Sequence, residues 1–531
     1  MLPKLPLGHG HHTPRRSSLN SNKSSTADES SQPTSPGVED ETVVEPDQGN
    51  VLSHIISQLR PGADLSRVVL PTFILEPRSM LERITNFMAH PETLLDMPKI
   101  DDPLQRFVSV VRFYLSGWHI KPPGVKKPLN PILGEIYTCY WEYPDKSHGY
   151  YISEQTSHHP PKSSYFFMVP EHHIRIDGTL KPRSRFLGNS AASMMEGIAI
   201  LQFLNRGTEK HGERYIVTQP NMYARGILFG KMKYELGDHS YVRCPENNLV
   251  ADVEFKTKGY FSGTYNAIGG SIKNEATGEI YYELSGFWNG EMYIKDVATG
   301  KRELLFNATN AKHSPPLTRP LEEQEPRESQ RLWHSTTQAL LARNHEVATE
   351  EKTKIEDRQR EEAAQRADKG VEWRPRLFRR VKGGPGGPEE GEEDLDWILN
   401  AIIDPQDPKL ATRQILAVAP ILKGQVVNHQ FDIPAHCPSS HHSSTPNSVT
   451  KEQSNNLIDL GNDGAADQRE TTKNNGSGEL VDLLSGSGNE GQKQISLTMS
   501  PLQPTISDQG HPTRRRDSES SGVDEFVDAQ D

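Results

Sequence analysis

Three observations predict a mostly β protein with flanking helices. From Pro131 to about Val297, short runs rich in Tyr, Phe, Ile and Val alternate with polar residues and break at Gly, Pro and Asn, as in EIYTCYWEY, SYFFMVP, GIAILQFL and EIYYELSGFWNG. Many short strands at such spacing signify an antiparallel barrel or sandwich, numerous enough here to enclose a cavity. Helical periodicity brackets this region on both sides. Finally, only 34% of the 531 residues are hydrophobic and the mean hydropathy is −0.69, so one large domain with disordered ends fits better than several compact domains.

In chain order, residues 1–50 are Ser-, Thr-, Pro- and Asp-rich and are predicted to be disordered. Residues 51–130 carry VLSHIISQLRPG, an extended VVLPTFIL, and helical patterns at SMLERITNFMAHPE and PLQRFVSVVRFYLSGWHI. The strand-rich region follows over 131–300. Glu325 to Lys369 reads as one long charged helix closed by Gly370, a natural C-cap. Trp373 to Arg380 closes the domain, and 381–393 is a Gly/Pro/Glu linker. Residues 394–435 are expected to form a short appendage of two small helices, LDWILNAII and TRQILAVAPIL. The stretch 436–531 reads as disordered again.

Composition narrows the function. Cys139, Cys244 and Cys437 are far apart with no CxxC pair, which argues against a disulfide framework and against a zinc site. No apolar run approaches the roughly 18–20 residues that span a bilayer, and MLPKLPLGHGHHTPRR lacks the apolar stretch of a signal peptide. A cytoplasmic location is therefore expected. A net charge of −12 opposes bulk attraction to nucleic acid or anionic lipid, so any anionic head group must meet local Lys and Arg clusters. GxSxG, GxxxxGK[ST] and HExxH are all missing, and no enzyme, cofactor or resident metal is expected.

The most informative segment is Glu154–Pro161, EQTSHHPP. Two prolines deprive a strand of ladder donors, so this is a strand end or loop held in one conformation. Adjacent imidazoles can both donate to one anion, phosphate being the obvious candidate. On its own HHPP would read as a Pro-fixed turn with surface histidines. The whole octapeptide, however, closely resembles the signature of oxysterol-binding-protein-related domains. KKPLNPILGE at 126–135 resembles that family's second hallmark, and VEFKTKGYF, GFWNG and the KIEDRQR helix also match. The resemblance spans about Val51 to Arg380. It implies a nearly complete antiparallel β-barrel with a lipid-sized tunnel, an N-terminal lid and a helical C-terminal part.

The resemblance also implies roles. Lys127 would bind phosphate at the tunnel entrance with Asn130 nearby, and His158 and His159 would bind the 4-phosphate of phosphatidylinositol 4-phosphate. Lys352, Glu356 and Arg360 would join them, Glu356 by orienting its cationic neighbours. Their i, i+4, i+8 spacing places them on one helix face, though by itself that spacing also describes a solvated, salt-bridged face. The stretches LPTFILEPRSMLERITNFMAHPE and KPRSRFLGNSAASMMEG look most like the fungal branch that exchanges phosphatidylserine for the phosphoinositide. In that branch Leu70 would contact the acyl region and Ser184 the serine head group, with Lys127 and Asn130 shared between cargoes. Sterol remains the rival second ligand, and a phosphoinositide sensor or scaffold with little net transport is the rival function.

The terminus EFVDAQD resembles the FFAT motif that docks onto VAP proteins of the endoplasmic reticulum. Glu525, Phe526, Asp528 and Ala529 match, and Val527 replaces the second aromatic. Read without that resemblance, it is an acidic tail. With the motif, the expected setting is transient contact with membranes where the endoplasmic reticulum and plasma membrane meet. NLIDLGND and ELVDLLSG are further candidate docking peptides for an unknown partner.

Overall fold

A computed structural model of the chain describes residues 41–43, 55, 57, 59–65, 68, 70–207, 212–227, 231–259, 263–381 and 395–425. The predicted disordered ends, including Glu525, Phe526, Asp528 and Ala529, lie outside the described residues apart from 41–43.

Strand β1 is Glu41–Val43 and β2 is Leu75–Ser79; α1 (Met80–Arg83), α2 (Pro91–Leu94) and α3 (Pro103–Ser116) follow. A short β3 (Lys127–Leu129) precedes the main sheet: β4 (Ile136–Glu142), β5 (His148–Ser157), β6 (Lys162–Val169), β7 (Ile174–Phe186), β8 (Ser190–Gly207), β9 (Gly212–Val217), β10 (Asn221–Arg225), β11 (Lys231–Cys244), β12 (Leu249–Lys256), β13 (Ala267–Asn274), β14 (Ile280–Phe287), β15 (Glu291–Asp296) and β16 (Arg302–Asn307). Next come α4 (Ser329–Leu332), α5 (His334–Leu341), α6 (His345–Asp368), β17 (Phe378–Arg380), β18 (Trp397–Leu399) and α7 (Pro408–Val418).

The main sheet has 14 strands, running from β16 through β15, β14, β13, β12, β11, β10, β8, β7, β6 and β5 to β4, with β9 and β1 added at β11. All its pairings are antiparallel, so it is a meander whose neighbours in sequence are mostly neighbours in space. Among the described residues β4 has no ladder to β16; instead Tyr140 of β4 pairs with Leu317 and Ile136 with Glu328. The interior beside that seam is filled by α3, whose Phe107, Val110, Val111 and Leu115 are fully buried among the inward side chains of the strands. Asp102 caps α3 by accepting from Gln105 N at 2.7 Å, and Pro103 occupies the first helical position, where no N–H is needed.

Strands β5 and β6 are buried on both faces. Tyr151, Tyr165 and Phe167 point into the main core, while Tyr150, Ile152, Phe166 and Met168 point outward against Leu377, Phe378, Trp397, Leu399, Ile415 and Ile421. The outer layer is supplied by β17, β18 and α7. Residues 395–425 are therefore packed into the domain and not appended to it. Here the expectation of two small helices fails for the first: Trp397–Leu399 is a strand, paired antiparallel with Phe378–Arg380. The apolar run LDWIL carries no helical period strong enough to outweigh a free strand edge and an uncovered face of β5 and β6.

The single long helix over 325–369 is also corrected, because it is three helices. Trp333 interrupts it while its Nε1 donates to Glu135 Oε2 at 2.9 Å. Arg343 then adopts a left-handed φ of 56°, and Asn344 caps α6 by accepting from Val347 N. The strand region runs on to Asn307, beyond the boundary at 300.

One buried ion pair anchors α3 to the sheet. Arg106 donates to both oxygens of Glu213 in β9 at 2.7 and 2.8 Å, and Tyr215 and Asn247 donate to the same carboxylate. Arg106→Met is expected to destabilise the domain by about 3–5 kcal/mol, because it leaves a buried carboxylate without its cation. Arg106→Met/Glu213→Leu is expected to recover much of that loss. Denaturation midpoints of the two variants check this, and equal losses would contradict it.

Candidate functional site

A cavity of about 1420 Å³ opens within the sheet, larger than the roughly 300–1,000 Å³ of ordinary small-molecule sites. Much of its wall is apolar, from Ile74, Leu75, Phe87, Trp118, Met195 and Tyr234. β3, the β5–β6 turn and α6 meet at this wall and bring several polar side chains together.

The octapeptide divides its labour by strand alternation. Glu154 points outward, fully buried, and accepts from Arg376 N and Leu377 N at 2.8 and 2.7 Å, so it fastens the segment leading to β17. Burial pushes its carboxyl up to about 7 against the pull of those donors. Gln155 lines the cavity, with Ser163 Oγ donating to its Oε1 and its Nε2 donating to Ser157 O. Ser157 Oγ donates to Pro160 O across the turn. That closed turn presents His158 and His159 side by side, ring centroids 4.4 Å apart and edge-on.

His158 is half-buried and meets Gln359 of α6, Nε2 to Nε2, at 2.7 Å. Leu133 N donates to Gln359 Oε1 at 2.7 Å, which leaves the Gln359 amide NH₂ as donor to His158. Among the described residues His158 Nδ1 is buried without a partner at full hydrogen-bond geometry, and the Pro131 backbone beside the ring raises its pKa only slightly. Burial first and His159 second hold the His158 pKa down to about 4, so the ring is neutral at pH 7 until an anion arrives.

Lys127 begins β3, which pairs in parallel with β2, and its Nζ donates to Asn130 Oδ1 at 2.6 Å. The residue is half-buried in the cavity wall. Desolvation, with repulsion from Lys352, brings its pKa down to about 8, and Glu356 partly offsets this. Lys352 and Glu356 form an i, i+4 pair at 2.7 Å on the cavity face of α6. Arg360 lies at the margin of the same cavity, but its guanidinium is held by Asp357 and is mostly exposed.

Leu70 and Ser184 also line the cavity. The described residues before β2 are tied to the sheet and to α6. Gly62 N donates to Phe186 O at 2.7 Å, Phe186 N donates to Ala63 O at 2.9 Å, and Thr72 Oγ1 donates to His345 O of α6 at 3.2 Å. Leu59, Leu65 and Phe73 pack on Phe186, Ile227 and Met232.

The fold thus gathers Leu70, Lys127, Asn130, His158, His159, Ser184, Lys352, Glu356 and Arg360, separated by up to 290 positions in sequence, onto one cavity. The oxysterol-binding protein family model matches residues 54–340 and 336–403. The chain belongs to the oxysterol-binding protein family. It is 51% identical over 439 residues to oxysterol-binding protein homolog 6 of Saccharomyces cerevisiae, covering 81% of this chain and 94% of that protein. With homolog 7 of the same yeast it is 53% identical over 394 residues, 73% of this chain and 87% of the other. The sequence therefore sides with these fungal members. The Osh1 ORD domain, solved in complex with cholesterol, shares the fold at a TM-score of 0.56 and 23% identity, over 67% of this chain and 88% of that one. Members of this family are lipid-binding transfer proteins, not enzymes, and the chain is a lipid-transfer protein of that kind. Among the described residues no helix is long and apolar enough to cross a membrane.

Sequence reasoning missed Gln359, Gln155 and Glu135. Gln359 was within reach, since it stands seven residues after Lys352 and three after Glu356, on the same helix face. Glu135 is fully buried beneath the site and accepts from Ser79 Oγ, Ser329 Oγ, Trp333 Nε1 and Ile132 N at 2.5 to 3.0 Å. No local pattern announces it, because three of its four donors come from other parts of the chain.

Proposed function

We propose that the domain extracts phosphatidylserine from one membrane and exchanges it, in the same cavity, for phosphatidylinositol 4-phosphate from another. The observation that carries this reading is a desolvated lysine and a neutral, part-buried histidine in the wall of a largely apolar cavity. Both groups favour an anion, because an arriving phosphate relieves the cost of burying their charged forms. One cavity cannot hold two diacyl lipids with both head groups at this cluster, so the cargoes exclude each other and a phosphoinositide gradient drives phosphatidylserine uphill. His158 and His159 serve the 4-phosphate; Lys127 and Asn130 serve the phosphate of either lipid, with Lys352, Glu356 and Arg360 beside them; Ser184 serves the serine head group and Leu70 the acyl chains. The N-terminal part of the domain, within 51–130, supplies the lid. The exchange takes place at endoplasmic reticulum contact sites, reached through Glu525–Asp531 and a VAP-type receptor.

The test is lipid extraction from mixed vesicles by the purified chain, bound lipids being identified by mass spectrometry. Wild type is expected to recover both phospholipids, and His158→Ala/His159→Ala to lose the phosphoinositide by at least about tenfold while keeping phosphatidylserine. Phosphoinositide extraction is also expected to strengthen from pH 7.5 to 5.5, since binding draws a proton onto His158. Recovery of sterol in place of phosphatidylserine would keep the fold and replace the second cargo. Recovery of no lipid would leave a scaffold.

A further inference from the structure

Beside the histidine turn lies a charge cluster that the exchange reading does not use. Lys162 is the first residue of β6 and stands directly across the ladder from Ser157, so it flanks the His158–Pro161 turn. Its Nζ donates to Asp396 Oδ2 at 2.6 Å, and Lys181 Nζ of β7 lies 2.8 Å from the same oxygen. Asp396 is nearly buried, its side chain 11% exposed, whereas the two lysines remain about a quarter exposed. The carboxylate is delivered by the strand that returns after the linker: Val381 N donates to Asp396 O at 3.1 Å, and Trp397 beside it is covered by the Arg380 guanidinium. Lys162, Arg380, Asp396 and Trp397 all line the margin of the cavity that holds His158 and His159.

Two ammonium groups on one carboxylate oxygen leave the trio with a net positive charge. The order of attraction follows from position: Asp396 is close, desolvated and fixed by the β17–β18 pair, so it outcompetes a head group further along the rim for the Lys162 ammonium. We propose that Asp396 is a positioning and specificity-determining residue: by clamping Lys162 and Lys181 it withholds Lys162 from the head-group site and keeps the rim from preferring inositol lipids with more than one ring phosphate. An extra phosphate would gain most from a freed Lys162, because each added negative charge meets a cation that is already partly desolvated. The segment after the linker thereby tunes cargo choice as well as covering the outer face of β5 and β6. This proposal rests on the exchange reading above.

Its test uses the full chain with vesicles carrying phosphatidylserine, phosphatidylinositol 4-phosphate or phosphatidylinositol 4,5-bisphosphate. The readout is the ratio of bisphosphate to monophosphate retained in competition, together with the release rate of the monophosphate. Asp396→Asn keeps the shape and removes the charge; it is expected to raise that ratio about fivefold or more and to slow release. Asp396→Asn/Lys162→Gln is expected to bring the ratio back to wild type. A merely structural pin predicts another pattern, in which Asp396→Asn lowers binding of all three lipids together and Tm with them, and that pattern would overturn the proposal. So would an unchanged ratio in a folded Asp396→Asn protein. If wild type extracts no phosphoinositide at all, the exchange reading and this proposal fall together; if wild type extracts it and the ratio is insensitive to Asp396, only this proposal falls.

Discussion

Lys127→Ala is expected to remove extraction of both phospholipids, weakening binding by roughly 30- to 100-fold, which corresponds to about 2–3 kcal/mol for one charge-assisted contact. The reason lies in its surroundings. Lys127 is desolvated in the cavity wall, its Nζ has a neutral partner in Asn130, and Lys352 repels it. These hold its pKa near 8, against an ordinary 10.5. A bound phosphate restores the charged form, so above pH 8 binding must take up a proton and affinity should fall about tenfold per pH unit until the pKa of the bound state is reached. Below pH 8 the lysine is already charged and its contribution is level. Titrating binding from pH 7 to 9.5 in wild type and Lys127→Ala separates this from a packing defect: wild type should bend near pH 8 and the variant should not. A wild-type profile that stays flat to pH 9.5 would remove Lys127 from the phosphate.

Glu135→Ala is expected to be as damaging as Arg106→Met, costing about 3–5 kcal/mol and lowering Tm by roughly 5–10 °C. Its carboxyl is buried without a cation, and burial raises its pKa in spite of four donors. Glu82, half-buried and raised to about 7 chiefly by desolvation, adds repulsion. Even so, alanine would orphan Ser79 Oγ, Trp333 Nε1 and Ile132 N in the interior, and an unmet buried donor costs more than its hydrogen bond contributed. The four donors tie the start of α1, the loop after Asn130 and the α4–α5 break to one point, so the variant should also misplace Lys127 relative to α6. Thermal unfolding together with extraction is the measurement. A Tm within 1 °C of wild type would show that the network carries little.

Much of this molecule is legible in its sequence because the governing effects are local. Period-2 runs with Gly and Pro breaks specify strands, and antiparallel meanders follow from short turns between them. EQTSHHPP and KKPLNP are contiguous, so the turn carrying His158 and His159 and the strand carrying Lys127 were visible as units. The i, i+4, i+8 set on α6 was visible for the same reason, since helix geometry alone puts Lys352, Glu356 and Arg360 on one face. Only the fold could decide that Gln359 reaches His158 and that the long charged run breaks at Trp333 and Arg343. Those outcomes depend on partners distant in sequence: the helix breaks at Trp333 where its indole reaches Glu135, and Gln359 is fixed by an N–H from Leu133. The same holds for Trp397–Leu399, whose apolar run fits a helix or a strand until a free edge at Phe378–Arg380 and the bare outer face of β5 and β6 choose the strand. The sequence by itself determined most of the strands and the side-chain chemistry of the EQTSHHPP, KKPLNP and α6 residues; the tertiary structure decided which of those groups share a cavity and how far each is desolvated, because burial and long-range hydrogen bonds exist only once the chain has closed on itself.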